Sequence, residues 1–303
     1  MQASRFAETG RLSRLYGVRN RVSFEKGTNQ TVTASDMPAV LLAAHGETGG
    51  AQNNALLARV AAEVAAQLPD LPVACGVLNG APALEEALVA LAGRHLLVHP
   101  FFMSNGYFVR QALPKRLEES PVAGWTLLTP LGLLPSLPAL IAKEIITDRQ
   151  EILIVSHGAT KSDRSRLATE AFSGALRRAL PGREITCCYL EEEPFAEQAV
   201  AKLGPHAQIV SFFAGEGAHG RSDLTRLVAD SGKPDLAVTD SVGALPGLAD
   251  LIVAELREAE AKATRARNIT ETCFIHSFSM LLYCSRRTVG LLPTVDSIWG
   301  TLC

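Results

Sequence analysis

Two histidines and a glutamate are the residues of this chain whose types and spacing suggest chemistry. His157 follows an apolar segment and precedes a glycine, His219 follows another apolar segment 62 residues later, and Glu191 opens an acidic run between them. Two neutral imidazoles and a carboxylate form a donor set that suits divalent transition metals such as cobalt, iron, nickel and zinc. Such a set leaves coordination positions open for a substrate, and the carboxylate can serve as a ligand or as a proton acceptor.

Each of these residues also has an ordinary structural interpretation. A histidine after a strand often does no more than hydrogen-bond within a turn. An acidic run is common at the start of a helix, where the helix dipole favours negative charge. The placement of all three at the same rim of one sheet is what favours metal binding.

His219 lies inside a second pattern, because residues 215–220 have the G-x-G-x-x-G spacing of a dinucleotide-binding turn. A predicted strand precedes the pattern, a helix can begin near Ser222, and Asp240 lies 20 residues after the last glycine. These contexts support the fingerprint. However, the dinucleotide-binding fingerprint normally occupies the first strand-to-helix turn of its domain, whereas this glycine pattern follows the third predicted strand of its domain. We expect no nucleotide cofactor and keep NAD binding as the less favoured alternative.

The composition favours a globular protein of two domains, since 303 residues with 47% hydrophobic content can bury two ordinary cores. A net charge of -2 argues against binding to nucleic acid or to a membrane surface through summed charge. The apolar stretch 127–142 is cut by three prolines and does not predict a transmembrane helix. Residues 1–37 lack an apolar signal region, so we expect a disordered leader, with a transit peptide as the alternative, and a cytoplasmic protein.

The chain contains an internal duplication. Landmarks recur in the same order at an offset of 111 or 112 residues: the His-Gly turn at 45–46 and 157–158, Cys75 and Cys187, and the Phe pair at 101–102 and 212–213. A chance match of several ordered landmarks is improbable, so the halves derive from one repeated unit. The predicted domains are repeat one (38–149), repeat two (150–260) and an extension of unknown role (261–303).

Strands and helices alternate within each repeat. Continuous apolar runs at 39–44, 151–155, 208–213 and 235–239 predict strands covered on both faces. Apolar residues at helical spacing predict helices such as Asn53–Leu68 and Arg164–Leu180. The predicted fold is therefore α/β, with two tandem doubly wound parallel sheets that face each other across a cleft. Ligands bind beyond the carboxyl ends of strands in such sheets, which is where His157, Glu191 and His219 are expected.

The His-Gly turn and the string F-F-x-x-x-G-x-H-x-x-x-D-L from Phe212 to Leu224 resemble the class II tetrapyrrole chelatases, specifically the sirohydrochlorin chelatases of the CbiX type. The resemblance covers both repeats, residues 38–258. It implies a pair of doubly wound domains with a cleft. It also implies an enzyme, a metal chelatase of the lyase class, that inserts Co²⁺ or Fe²⁺ into sirohydrochlorin in cobalamin or siroheme biosynthesis.

The resemblance places the family's two metal-binding histidines on His157 and His219 and its glutamate on Glu191. Repeat one keeps the turn with His45, but Phe108 stands at its second histidine position, so the implied site belongs to repeat two. His45 is then either a remnant or a substrate-binding residue. The proton acceptor for the departing pyrrole protons is assigned to His157 or Glu191.

The motif that follows is only partly kept. Its aspartate falls on Asp223, with Thr225 in place of the usual proline, and repeat one has Ala112 at the aspartate position. These departures leave a second hypothesis, a non-catalytic relative that binds a tetrapyrrole or a metal.

Cations near the predicted site fit a substrate rich in carboxylates. Arg164 and Arg221 are the expected substrate-binding residues, and Lys161, Arg166 and Arg226 lie nearby in sequence. The alternative is that these are ordinary solvated charges. The physiological metal stays open among Co²⁺, Fe²⁺ and Ni²⁺, and the duplication is consistent with a monomer because it supplies both halves of the cleft.

The six cysteines do not form a recognisable metal motif. Three of them, Cys75, Cys187 and Cys188, lie in apolar runs and are expected to be buried thiols. Cys273, His276, Cys284 and Cys303 lie in the extension at spacings unlike a zinc finger or a common iron–sulfur signature.

Overall fold

A computed structural model of the chain describes residues 37–46, 54–215, 223–233, 235–262 and 265. His219 and Arg221 lie outside the described residues, as do the predicted leader and nearly all of the predicted extension. By its internal contacts the chain divides into Met1–Ala259 and Glu260–Cys303. The described residues of the second unit, 260–262 and 265, are helical.

The first repeat alternates strands and helices as predicted. Its strands are β1 (Ala39–Ala44), β2 (Val73–Val77), β3 (His95–Pro100) and β4 (Gly124–Leu127). Its helices are α1 (Ala55–Gln67), α2 (Leu84–Ala90), α3 (Leu113–Glu118) and α4 (Leu137–Lys143), with a π-helical turn at Phe108–Ala112 and a 3-10 turn at Leu131–Leu133.

The second repeat has the same order of elements. Its strands are β5 (Glu151–Ser156), β6 (Glu184–Tyr189), β7 (Gln208–Ser211) and β8 (Ala237–Val238). Its helices are α5 (Arg164–Ala179), α6 (Ala196–Lys202), α7 (Asp223–Asp230) and α8 (248–262), with a 3-10 turn at Val242–Ala244.

Each repeat forms one parallel four-stranded sheet, in the orders β2-β1-β3-β4 and β6-β5-β7-β8. The registers are equivalent, since Leu42 pairs with Cys75 in the first sheet and Ile154 pairs with Cys187 in the second. The fold is therefore α/β with a tandem duplication, as the sequence predicted. In both sheets the first strand of the repeat lies between the second and the third. The second strand is added on one side of the first strand and the third on the other side, so the strand order reverses next to the first strand.

The side chains of the central strands alternate between two cores. Val40 and Leu42 of β1 face a core that also contains Ile152 and Ile154 of β5 and is shared by the two repeats. The alternate residues of β1 face a core confined to repeat one, and those of β5 face one confined to repeat two. Both faces of these strands are covered, which explains their unbroken apolar sequence.

Two strand predictions were longer than the observed strands. The predicted strand 208–213 ends at Ser211. The Phe212 N–H still bonds the Val155 carbonyl at 2.9 Å, but the Phe212 side chain packs in the shared core and the Phe213 side chain in the core of repeat two. The predicted strand 235–239 is limited to Ala237–Val238. The edge strand β6 also differs from a fully covered strand, since it exposes Glu184 and Thr186.

The last helix of each repeat packs against the other repeat. Helix α4 of repeat one contacts α5, and the Gln208 side chain in β7 bonds the Glu144 carbonyl and the Ile146 N–H just beyond α4, both at 2.9 Å. In return, Glu255 on α8 accepts hydrogen bonds from His99 of β3 and from the Thr129 N–H. This exchange joins the repeats around their shared core.

The carboxyl edges of the two sheets adjoin each other. The Phe101 ring, directly after β3, lies beside Gly243, which follows β8 in the other repeat, and a β-carbon there would be 3.0 Å from the ring. Arg59 on α1 contacts the carbonyls of Gly243 and Ala244 at 3.5 and 3.4 Å. None of the helices in the described part of the chain is both long and apolar enough to cross a membrane.

Candidate metal and tetrapyrrole site

His157 is held by a tight turn at the carboxyl end of β5. Gly158 has a φ of +75°, a conformation that side chains other than glycine's rarely adopt. The His157 Nδ1 lies 3.2 Å from the Gly158 carbonyl oxygen. Since a carbonyl can only accept, Nδ1 carries the proton in this contact, and the lone pair of the ring is on Nε2.

Glu191 meets His157 at the end of the neighbouring strand. The chain leaves β6 alongside β5, so that the Glu191 N–H bonds the His157 carbonyl at 3.0 Å. Its Oε2 lies 3.5 Å from His157 Nδ1, with the two side chains 47% and 43% exposed. The fold thus brings together two of the three predicted metal-site residues and leaves both accessible.

The third predicted residue, His219, lies outside the described residues, but the strand that leads to it is described. Strand β7 pairs with β5 on the side opposite β6, with Ile154 beside Val210. The described end of β7 therefore lies at the same edge of the sheet as the His157 turn. Within the described part of the chain no three His, Cys, Asp or Glu side chains are grouped closely enough to hold a metal ion.

The acidic run does not start a helix, contrary to its ordinary interpretation. Helix α6 begins only at Ala196, and Glu197 is its acidic first-turn residue. Glu192 instead makes two contacts with the loop and helix that follow His157. Its Oε1 accepts the Ala159 N–H at 3.0 Å, and its Oε2 lies 3.6 Å from Nε of Arg166. It thereby ties the loop after His157 to the end of β6, a role that the sequence analysis missed.

The predicted cationic residues fall into two groups. Arg164 is exposed at the first residue of α5, and Lys161 is exposed just before it. Arg166 is engaged by two carboxylates, those of Glu170 and Glu192, each at 3.6 Å. Arg226 lies 3.6 Å from Asp223. Among these described residues, Arg164 and Lys161 are exposed and pair with no described carboxylate, whereas Arg166 and Arg226 are paired with carboxylates.

Repeat one carries a neutralised copy of the same arrangement. His45 Nδ1 lies 2.9 Å from the Gly46 carbonyl, in a turn where Gly46 has a φ of +84°. At the position of Glu191 it has Asn79, whose Nδ2 lies 3.2 Å from His45 Nε2. The amide donates to the lone pair that a metal would need. The offset of 112 residues applied to Glu191 would have identified Asn79 from the sequence.

Of the three thiols expected to be buried, Cys188 is buried, whereas Cys75 and Cys187 are only half-buried. Cys75, Cys187 and Cys188 are free cysteines, and burial raises the pKa of the Cys188 thiol to about 12. A thiol with such a pKa is protonated at neutral pH and is a poor metal ligand. The other three cysteines and His276 lie outside the described residues.

Comparison with known proteins agrees with the architecture. A structure described as that of CbiX, the terminal enzyme for biosynthesis of siroheme in denitrifying bacteria, is 29% identical, with a TM-score of 0.63, and the match covers 73% of this chain and 99% of that chain. SirB from Bacillus subtilis with Fe³⁺ is 16% identical, with a TM-score of 0.60 and coverage of 75% and 96%. The sirohydrochlorin chelatase SirB of subspecies spizizenii, in complex with cobalt, is 14% identical, with a TM-score of 0.60 and coverage of 74% and 95%. At these identities the two SirB structures establish the fold alone.

The family assignment rests on the sequence of both repeats. A search of curated protein sequences finds no match. The family model CbiX, however, matches residues 39–147 and matches again at residues 151–259, which together make up most of the chain. This double match coincides with two equivalent sheets and two equivalent His-Gly turns. The chain therefore belongs to the CbiX family.

Proposed function

We propose that this protein inserts a divalent metal ion, Co²⁺ or Fe²⁺, into sirohydrochlorin or a closely related tetrapyrrole, as a chelatase of siroheme or cobalamin biosynthesis. The observation that carries this proposal is the pairing of His157 with Glu191 at the carboxyl edge of the second sheet. It is supported by membership of the CbiX family and by similarity over nearly the whole length of a siroheme-biosynthesis enzyme. The metal is a substrate here, so the protein has to release it into the macrocycle.

His157 is suited to deliver the metal. With Nδ1 directed at the Gly158 carbonyl and the Glu191 carboxylate, its Nε2 lone pair is the donor for the ion. The carboxylate beside Nδ1 orients the imidazole and increases its basicity. We assign His219 as the second imidazole ligand, because it follows β7 in the sequence and β7 pairs with the strand that precedes this turn.

Insertion releases two protons from pyrrole nitrogens while the metal forms bonds to the ring nitrogens. Glu191 is half exposed and next to a metal-binding imidazole, so it can accept a proton once the ion moves away. His157 can accept the other when its Nε2 loses the metal. Arg164 and Arg221 are assigned to the peripheral carboxylates of the substrate, with His45 at the facing edge.

Anaerobic assays test this function directly. Protein incubated with sirohydrochlorin and Co²⁺, Fe²⁺ or Ni²⁺ should change the visible spectrum to that of the metallated ring faster than metal and buffer alone. Turnover establishes which metals are substrates. Binding of sirohydrochlorin without acceleration would support instead a non-catalytic relative, the alternative suggested by the lost donor residues of repeat one. A protein that neither binds sirohydrochlorin nor accelerates metal insertion would refute the proposal.

The assignment of His219 has its own test. His219→Ala should abolish insertion, because one imidazole and a carboxylate hold the ion weakly, while circular dichroism and thermal unfolding stay as in the wild type. His206→Ala is a matched control, since His206 lies before β7 and away from the carboxyl edge. Wild-type insertion rates in His219→Ala would disprove the assignment.

A further inference from the structure

Repeat one exposes a group of aromatic side chains at its carboxyl edge. Tyr107 is 63% exposed and Phe108 is 37% exposed. The Phe108 ring lies edge-on to His45 at 4.4 Å, edge-on to Tyr107 at 5.5 Å, and nearly parallel to Phe102 at 6.2 Å between ring centroids. We call His45, Phe102, Tyr107 and Phe108 the aromatic platform. Contiguous exposed apolar groups of this kind often mark ligand-binding surfaces.

One wall of the platform is a restrained side chain. His45 is held at both ring nitrogens, by the Gly46 carbonyl and by the Asn79 amide, so its ring is a fixed wall for Phe108. Phe108 begins a π-helical turn, a rare geometry that recurs at functional sites. A rigid surface loses little entropy when a rigid ligand binds to it.

Three exchanges at the site positions change the chemistry in one direction. Where repeat two has His219, Glu191 and Asp223, repeat one has Phe108, Asn79 and Ala112. Metal donors and negative charges have been replaced by apolar or neutral groups. A cation is retained, because exposed Arg110 stands at the position of Arg221. The edge is consequently aromatic at its centre and basic beside it.

This chemistry is complementary to one class of ligand. A cyclic tetrapyrrole has a flat, polarisable ring that stacks on or meets aromatic side chains, and peripheral carboxylates that pair with arginine and lysine. The platform also lies on the correct side of the molecule. Phe101, next to Phe102, contacts Gly243 of repeat two where the two carboxyl edges adjoin.

We propose that the aromatic platform of repeat one binds the macrocycle while repeat two delivers the metal. This inference rests on the proposed function and adds a division of labour to it. The substitutions in repeat one then favour substrate binding. They remove carboxylates that would repel the substrate, and they supply aromatic rings that hold it.

The test separates binding from chemistry. Metal-free sirohydrochlorin is titrated anaerobically into Phe108→Ala, Tyr107→Ala and the double variant, and binding is followed by the absorption spectrum. We expect Kd to rise about five- to tenfold for Phe108→Ala and further for the double variant. KM should rise in parallel, with kcat at saturating substrate changed less than about twofold, since the metal site is untouched. Phe108→Tyr should restore most of the affinity.

Two controls make the outcome decisive. Val89→Ala removes a side chain that is 66% exposed on α2, away from the carboxyl edge, and should bind as the wild type does. Affinity for Co²⁺ alone should be unchanged in the platform variants. Wild-type affinity for sirohydrochlorin in the double variant would overturn the inference and leave the proposed function intact. Failure of the wild-type protein to bind sirohydrochlorin would overturn both.

Discussion

At the scale of single residues, neighbours decide what a histidine can do. His157 and His45 occupy equivalent turns, and both direct Nδ1 at the carbonyl of the following glycine. Their second neighbours differ, because Glu191 contacts Nδ1 of one ring and Asn79 engages Nε2 of the other. The lone pair of the His45 ring already accepts a hydrogen bond from an amide, whereas Nδ1 of the His157 ring faces a carboxylate.

The carboxylate next to His157 can be tested by a change that keeps its shape. Glu191→Gln should lower kcat for metal insertion about 10- to 100-fold, because the amide neither accepts a proton nor polarises the imidazole. Anaerobic insertion kinetics and Co²⁺ affinity give the measurement. Glu193→Gln is the matched control in the same acidic run and should keep wild-type rates. An unchanged kcat in Glu191→Gln would contradict the role assigned to it.

At the scale of elements, the position of His157 depends on a turn whose conformation favours glycine. Each sheet ends its first strand with a histidine and a glycine at positive φ, and the chain then passes close to the end of the second strand. A β-carbon on Gly158 would lie 2.9 Å from Cβ of Tyr189 and 3.0 Å from Cγ of Glu192. The close approach fixes His157 relative to Glu191.

Gly158→Ala should therefore destabilise the protein and disturb the site. We expect a loss of about 3 kcal/mol in the free energy of unfolding, from the left-handed conformation and from the overlap with Tyr189 and Glu192. Gly182→Ala is the control, because Gly182 has a φ of +83° but a β-carbon there meets no atom within 4 Å. It should cost about 1 kcal/mol. Equal losses in urea denaturation would show that the close approach is unimportant.

A buried thiol on strand β6 makes stability depend on alkaline pH. Burial raises the pKa of Cys188 to about 12 from its ordinary value of 9.0. Above pH 9 the unfolded chain releases this proton while the folded protein retains it, so the stabilisation present below pH 9 is lost as pH rises toward 12. The expected slope from this group is up to about 1.4 kcal/mol per pH unit.

Urea denaturation of the wild type and of Cys188→Ala between about pH 8 and about pH 10.5 measures this contribution. The free energy of unfolding of Cys188→Ala should fall less steeply than that of the wild type as the pH rises through this range. This comparison of slopes holds whatever the stability of the variant at about pH 8. Parallel pH dependences in the two proteins would contradict the assignment to Cys188.

At the scale of the whole molecule, the two repeats are joined by exchanged helices and a common core. The His99 side chain is fully buried in β3 and bonds Oε2 of Glu255 on α8 at 2.8 Å, while the Thr129 N–H bonds Oε1 at 2.7 Å. One carboxylate from repeat two thus satisfies two groups of repeat one. Such a link restrains one repeat relative to the other, as the proposed division of labour between the repeats requires.

Removal of this carboxylate should weaken the whole protein. Glu255→Ala leaves the His99 ring and the Thr129 N–H without their acceptor, and we expect the free energy of unfolding to fall by about 2 to 3 kcal/mol. Glu255→Gln keeps an acceptor and should cost less. A cycle with His99→Leu should show a coupling energy of at least about 1 kcal/mol in thermal or urea unfolding. Additive effects would indicate that the pair does not couple the repeats.

The duplication, the α/β class and the position of the His157 turn could all be predicted from the sequence. These features depend on near neighbours along the chain: apolar runs, helical spacing, and a glycine directly after a strand. The same logic matched Phe108 to His219 and could have matched Asn79 to Glu191. The participation of His219 stays a prediction, because its position lies outside the described residues.

Which of these residues meet was decided by the packing of the folded chain. The placement of β5 between β6 and β7 brings Glu191 to His157, the Glu192 carboxylate engages Arg166, and α8 carries Glu255 to His99. The aromatic platform likewise exists only where the ends of β1 and β3 come together. Such contacts depend on strand order and packing, which are set by the burial of the whole core and not by any local pattern of residues.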